Sequence, residues 1–239
     1  MTRLLQSFLA AAAVICLVPA VTLALTPYSQ DFEALDQSNP SALGDDGWLA
    51  FANVFDAGGG YLYGYGPFPA PNGGEAFSAI VTDQGGPEQG LQQLSVYSDY
   101  ANPDHGNGYL IEANVFQEQI VAAGDVGHTW TFDFDAKLGN LEGATTALAF
   151  IKTLDPNAGY AMTNFITVDL TNTPTTWSSY SLSIAIDDTL PDQILQVGFS
   201  NTATNYEGSG VFYDNVNFYL DDPSPVESGS WGEMKALFR

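Results

Sequence analysis

Nearly all the chemistry open to this chain lies in its carboxylates: 28 Asp and Glu stand against five Lys and Arg, two His and one Cys. Carboxylates hold hard cations when several oxygens converge from irregular loops. Two groups have that potential. Asp31 and Glu33 lie in the N-terminal stretch QDFEALD, and Asp214 lies in the C-terminal stretch VFYDNVNFY. In a sandwich whose first and last strands are neighbours, these three would meet. The second group is the run from Asp99 to Asn107, where Asp99, Asn102 and Asp104 supply oxygens without the spacing of an EF-hand loop. Either set has an alternative use, because Asx side chains also cap turns through their own backbone.

Aromatic rings are the next resource. Tyr61, Tyr63 and Tyr65 recur at a spacing of two, with Phe68 after them, among Gly60, Gly64 and Gly66. In an extended chain they project from one side, and glycines let a ligand approach the backbone. Sugars offer flat apolar faces to such rings, so this segment and Trp48 are the candidate ligand-binding residues; the competing reading makes the rings a lid on the core. Trp130 and Trp177 fall within alternating strands and belong to the core.

Catalytic sets are missing from the pattern. His105 and His128 are the only histidines, which leaves little for a zinc site or a His-based triad. No Gly-x-Ser-x-Gly elbow, phosphate loop or HExxH occurs. The pairs Asp133/Asp135 and Glu112/Glu118 have the residue types of a glycosidase, but 28 acids produce such pairs by chance, and Asp133 and Asp135 read as a solvent face. No catalytic residue is assigned.

The elements that must position these groups are strands. Beyond residue 25, runs rich in Val, Ile, Phe, Tyr and Thr alternate with Gly, Asn, Asp and Pro clusters. Eleven strands are expected, at 29–35, 47–55, 77–82, 91–97, 109–117, 129–137, 146–154, 164–170, 177–186, 193–200 and 210–219. Alternation is clearest where Trp130, Phe132 and Phe134 face one way and Thr131, Asp133 and Asp135 the other. So many half-apolar strands require two packed sheets. The expected fold is an all-β antiparallel sandwich of jelly-roll type, with 58–74 as a Gly/Pro/Tyr-rich loop.

The ends read differently. Residues 1–24 have a charged start, an apolar run and small residues near Ala20 and Ala24, the pattern of a secretory signal peptide. Cys16 lies inside it, so cleavage leaves a domain, 25–220, that is held without disulfides. Residues 221–239 form a polar linker and a short amphipathic tail bearing Trp231, Met234, Leu237 and Phe238, either docked on the sandwich or serving as a sorting tag. The expected location is therefore extracellular or at the surface of a bacterial cell, with no membrane insertion after cleavage. With the leader removed, the acids face only Lys137, Lys152, Lys235 and Arg239. That charge repels nucleic acid and anionic membranes and favours divalent cations and uncharged partners.

The segments TWTFDFDAK, ALAFIKTLDPNAGY, TPTTWSSYSLSI, LQVGFSN and VFYDNVNFY, with QDFEALD and DDGW before them, resemble secreted carbohydrate-binding modules of the family 4/9 jelly-roll type, within the galactose-binding-like group. The resemblance implies a structural calcium held by Asp31 or Glu33 together with Asp214. It transfers no sugar-binding residue, and the catalytic domain that usually accompanies such modules has no counterpart here. The expected function is a non-catalytic, calcium-stabilised protein that binds a polysaccharide or other glycan. The alternatives are a structural or adhesive surface protein, and a glycan hydrolase or lyase with an unrecognised acidic site.

Overall fold

The computed structural model describes residues 25–221; the predicted leader and the C-terminal tail lie outside the described residues. Twelve strands form two six-stranded antiparallel sheets. In the first, β10 (Ser178–Ala185), β7 (Thr129–Leu141), β12 (Ser209–Leu220), β5 (Gln92–Val96) and β4 (Ser78–Thr82) lie in that order, and β1 (Tyr28–Gln30) also pairs with β12. In the second the order is β3 (Tyr61–Pro69), β2 (Leu49–Phe55), β6 (Leu110–Ile120), β11 (Ile194–Ala203), β8 (Thr146–Asp155) and β9 (Ala161–Asp169). The all-β sandwich expected from the alternation is the fold observed.

Side-chain alternation decides what fills the space between the sheets. Trp130, Phe132 and Phe134 point inward from β7, and Leu182 and Ile184 from β10, as their spacing predicts. From the other sheet come Ile111, Ala113 and Val115 of β6 and Phe199 of β11. The layers meet most closely where the Phe199 ring stacks on Tyr213 of β12, centroids 3.6 Å apart, with Phe134 edge-on at 5.1 Å. Each such fully buried ring contributes roughly 1.5–3 kcal/mol of transfer free energy.

Two differences from the expected elements bear on function. The Gly/Pro-rich stretch 58–74 contains a strand, β3, at the edge of the second sheet, the one place where Pro67 and Pro69 lose no ladder hydrogen bond. Gly64 permits the pairing: a Cβ there would stand 2.8 Å from the Phe51 ring and 3.0 Å from the Tyr61 hydroxyl. A four-residue helix, Ala42–Asp45, buries Ala42 and Leu43 just before β2.

Candidate functional site

The structure places Tyr63 and Tyr65 beside the loop that follows β5, and the two sets of predicted site residues become partners. Tyr65 donates its hydroxyl hydrogen to Asp99 (2.6 Å) and Tyr63 donates to Asp104 (2.6 Å). The Asn102 amide donates to both tyrosine oxygens. The remaining carboxylate oxygens accept from the Ala101 backbone and the Asn107 amide, and Asn102 caps the short helix Pro103–Asn107. All four carboxylate oxygens of this loop thus have protein donors. Beside these carboxylates both phenols are pushed up: for Tyr65 burial is the main cause, and for Tyr63 it is the bond to Asp104. Phe68 packs edge-on against Phe77 at 5.3 Å, closing one end of the core. Trp48 corrects the sequence expectation. It is fully buried, edge-on to Tyr28 and stacked near Phe199, because β2 turns it inward. Tyr61, 60% exposed and packed edge-on to Phe55, and Tyr63, 40% exposed, offer their rings to solvent as expected of a platform.

Asp31, Glu33 and Asp214 are brought into one neighbourhood. β5 and β1 share the same edge of β12, at Val211–Tyr213 and Val216–Phe218 respectively, and Asp214 lies in the gap between them. The register against β7 slips at this point, and Asn215 takes a left-handed conformation (φ 48°). Asp214 is fully buried; one oxygen accepts from the Asn215 backbone (2.6 Å) and the other, Oδ2, has no partner. Burial, followed by the charges of Asp31, Glu33 and Asp135, raises its pKa to about 7. Glu33 accepts from the Leu91 and Gln92 backbones at 2.6 and 2.7 Å, and Asp31 from the Glu33 backbone at 3.2 Å. Among the described residues, no three Asp, Glu, His or Cys side chains are grouped closely enough to hold a metal ion.

The face that sequence reasoning missed is the outer side of the second sheet. The first sheet turns polar groups outward, with Ser179, Ser181 and Ser183 exposed, Asp133 half-buried and Thr131 buried. Asp135 is buried on the same side: it accepts from Asn215, Ser179 and Gln89, which outweigh desolvation and hold its carboxyl below the usual range. The second sheet instead carries aromatic rings on its outer side, where Phe116 and Phe150 are nevertheless buried and Tyr61 and Phe165 are exposed. Ile111, Ala113 and Val115 point into the core, so Glu112, Asn114, Phe116 and Glu118 point away from it. Pairing sets Phe116 and Phe150 on either side of Gly198, and Phe165 beside Lys152. With Tyr61, Phe55 and Phe51 at the other edge, rings occur on five of the six strands, and five inter-strand steps span about 24 Å.

Polar groups on this face are incompletely satisfied. The Lys152 ammonium lies over the Phe150 and Phe116 rings, 4.8 and 5.7 Å from their centroids. Desolvation lowers its pKa, against the pull of Glu112 and Glu118. Gln196, only 5% exposed, donates to Glu118 (2.7 Å), but its carbonyl oxygen has no partner. An unpaired buried acceptor is costly. The sequence did carry a signal: Val115-Phe116 and Ala149-Phe150-Ile151 are apolar without alternation, the mark of a strand covered on both faces. The pair Glu112/Glu118 is six residues apart on one strand, about 20 Å, beyond the separations of roughly 5–10 Å that glycoside hydrolysis uses.

No known protein family and no curated protein matches this sequence. Among solved structures, the fold is similar to carbohydrate-binding modules of families 4, 16 and 22. The family 4 module has 16% identity and a TM-score of 0.38, over 79% of this chain and 93% of the module. A cyclase from Fischerella sp. TAU aligns at 16% identity and TM-score 0.42, over 83% of this chain and 100% of its own. The enzymatically active domain of bacteriophage CBA120 tailspike protein 4 aligns at 16% and 0.44, over 78% of this chain, which spans only 21% of that one. These neighbours share a fold and not a ligand. At such scores the likeness says nothing about binding or reaction.

Proposed function

We propose that this protein binds polysaccharide along the outer face of the second sheet, without catalysing its cleavage. One observation carries the reading: the outer side of this sheet bears aromatic rings on five strands, with Tyr61 and Phe165 exposed at its two edges and Phe116 and Phe150 buried between them beside the Lys152 ammonium. The exposed Tyr61 and Phe165 rings stack on the apolar faces of sugars, while Glu112 and Glu118 meet hydroxyl groups. An extended chain fits a strip about 24 Å long better than a compact ligand does. The surplus of acids favours a neutral glycan over a polyanion. The leader-like residues 1–24 fit export, and the bare Asp214 Oδ2 fits a calcium ion bound with help from backbone carbonyls.

A glycan array probed with the domain, with and without calcium, tests this. Binding to one or more neutral polysaccharides is expected, weakened at least tenfold by Phe165→Ala, whose ring is 49% exposed and contributes little to the core. Release of reducing ends or unsaturated sugars would replace binding by catalysis. Absence of binding to every glycan would leave the fold as a structural or adhesive unit.

A further inference from the structure

A groove of about 630 Å³ lies away from this face, at the end of the first sheet where β5 and β7 finish and β12 begins. Its wall is built from Tyr97 and Tyr100, with Tyr206 at the rim. The Tyr97 and Tyr100 rings are nearly parallel (11°), centroids 6.1 Å apart. Both hydroxyls are spent inside the protein: Tyr97 donates to the Gly74 and Ser78 carbonyls, and Tyr100 bonds to the Glu207 carbonyl and the Ser209 hydroxyl. These rings are therefore fixed, and what they offer a ligand is their faces. Tyr100 stacks in turn on buried His105, and His105 packs on Tyr206.

Tyr206 is held out at a cost. Asn205 and Tyr206 both adopt left-handed backbone conformations, φ 50° and 60°, and Tyr206 remains 51% exposed. Two consecutive non-glycine residues in that region are unfavourable, and the contact they secure is the packing of the Tyr206 ring on His105. The polar lining comprises Glu75, Glu142 and Asn140, with no basic side chain. Gly208 keeps the groove's floor clear, since a Cβ there would collide with the Asn140 side chain. The site thus combines flat apolar faces with groups that mostly accept hydrogen bonds and repel anions.

We infer that this groove is a second saccharide site, taking a pyranose that donates hydrogen bonds, neutral or amine-bearing, and refusing uronic or sulfated sugars. The rings supply stacking, and the two carboxylates accept from hydroxyl or ammonium groups. The inference stands apart from the outer face of the second sheet, and the experiment separates the two. Xylohexaose, a glucosamine hexamer and a galacturonate hexamer are titrated calorimetrically into the wild type, Phe165→Ala, Tyr206→Ala and the double variant. Phe165→Ala should retain one site for the neutral or the amine-bearing hexamer, and adding Tyr206→Ala should weaken that site at least tenfold. In the Phe165→Ala background, Glu75→Gln with Glu142→Gln should weaken the glucosamine hexamer several-fold and reduce the exclusion of galacturonate, without needing Tyr206 to change. The inference is overturned if no hexamer binds, if Phe165→Ala alone removes all binding, or if galacturonate binds the Phe165→Ala protein best.

Discussion

Replacing Asp214 by Asn should stabilise the calcium-free domain at alkaline pH and do nothing at acid pH. The carboxyl is fully buried, with one oxygen unpaired, and faces Asp31, Glu33 and Asp135. Its pKa of about 7, against an ordinary 3.8, means that the folded chain binds its proton more tightly than the unfolded chain does. Between about pH 4 and 7 the folded state therefore carries more bound protons, and stability falls as pH rises through that window. At 1.36 kcal/mol per tenfold change in proton affinity, the penalty reaches about 4 kcal/mol above pH 7. For a domain of this size that is a difference in melting midpoint of roughly 8–16 °C. The assay is thermal unfolding of wild type and Asp214→Asn in chelator from pH 4 to pH 8, in which the difference between the two cancels the general self-repulsion of an acidic chain. Their midpoints should coincide near pH 4 and separate progressively, with the variant higher. An equal or lower midpoint for the variant at pH 8 would refute the reasoning. Calcium at about a hundred times its dissociation constant should then add about 2.7 kcal/mol to the wild type and nothing to the variant. A separation with pH but no calcium response would keep the buried acid and remove the ion.

Other expectations concern the face and the core. Tyr61→Ala should weaken polysaccharide binding by about tenfold, or 1.4 kcal/mol, while leaving the melting midpoint unchanged, as affinity electrophoresis and calorimetry would show. Lys152→Met keeps the apolar stem over Phe150 and Phe116 but removes the ammonium; it should alter selectivity among glycans more than stability, measured on the array. Tyr65→Phe deletes the donor to Asp99 and should destabilise by about 1–3 kcal/mol without affecting glycan binding, whereas a loss of binding would return that ring to the ligand site. Phe199→Ala, at the contact between the sheets, should cost about 3–5 kcal/mol in denaturant unfolding.

The strands themselves were legible because a period of two in side-chain polarity is a local property. The sequences around Trp130–Phe134 and Tyr180–Ile184 state which side faces the core, and every expected strand has its counterpart within a few residues. β3 was not legible, since Gly64, Gly66, Pro67 and Pro69 signal a loop, and only an edge position with one pairing partner tolerates them. The acids at 31, 33 and 214 lie near one another because β1 pairs with β12. Among the described residues, though, no side-chain cage forms, because Glu33 is used by the Leu91 and Gln92 backbones.

Composition and alternation by themselves determined an acidic all-β sandwich with an apolar interior. Which rings face solvent was decided by tertiary structure. Trp48 and Phe165 are both bulky aromatics in or beside strands; strand pairing puts one between the layers and leaves the other exposed on the outer side of the second sheet. That face draws on six strands far apart in sequence, and the tyrosine groove on four connecting segments. Neither can be read from local spacing, because each exists only where non-local hydrogen-bonded registers bring those strands and loops together.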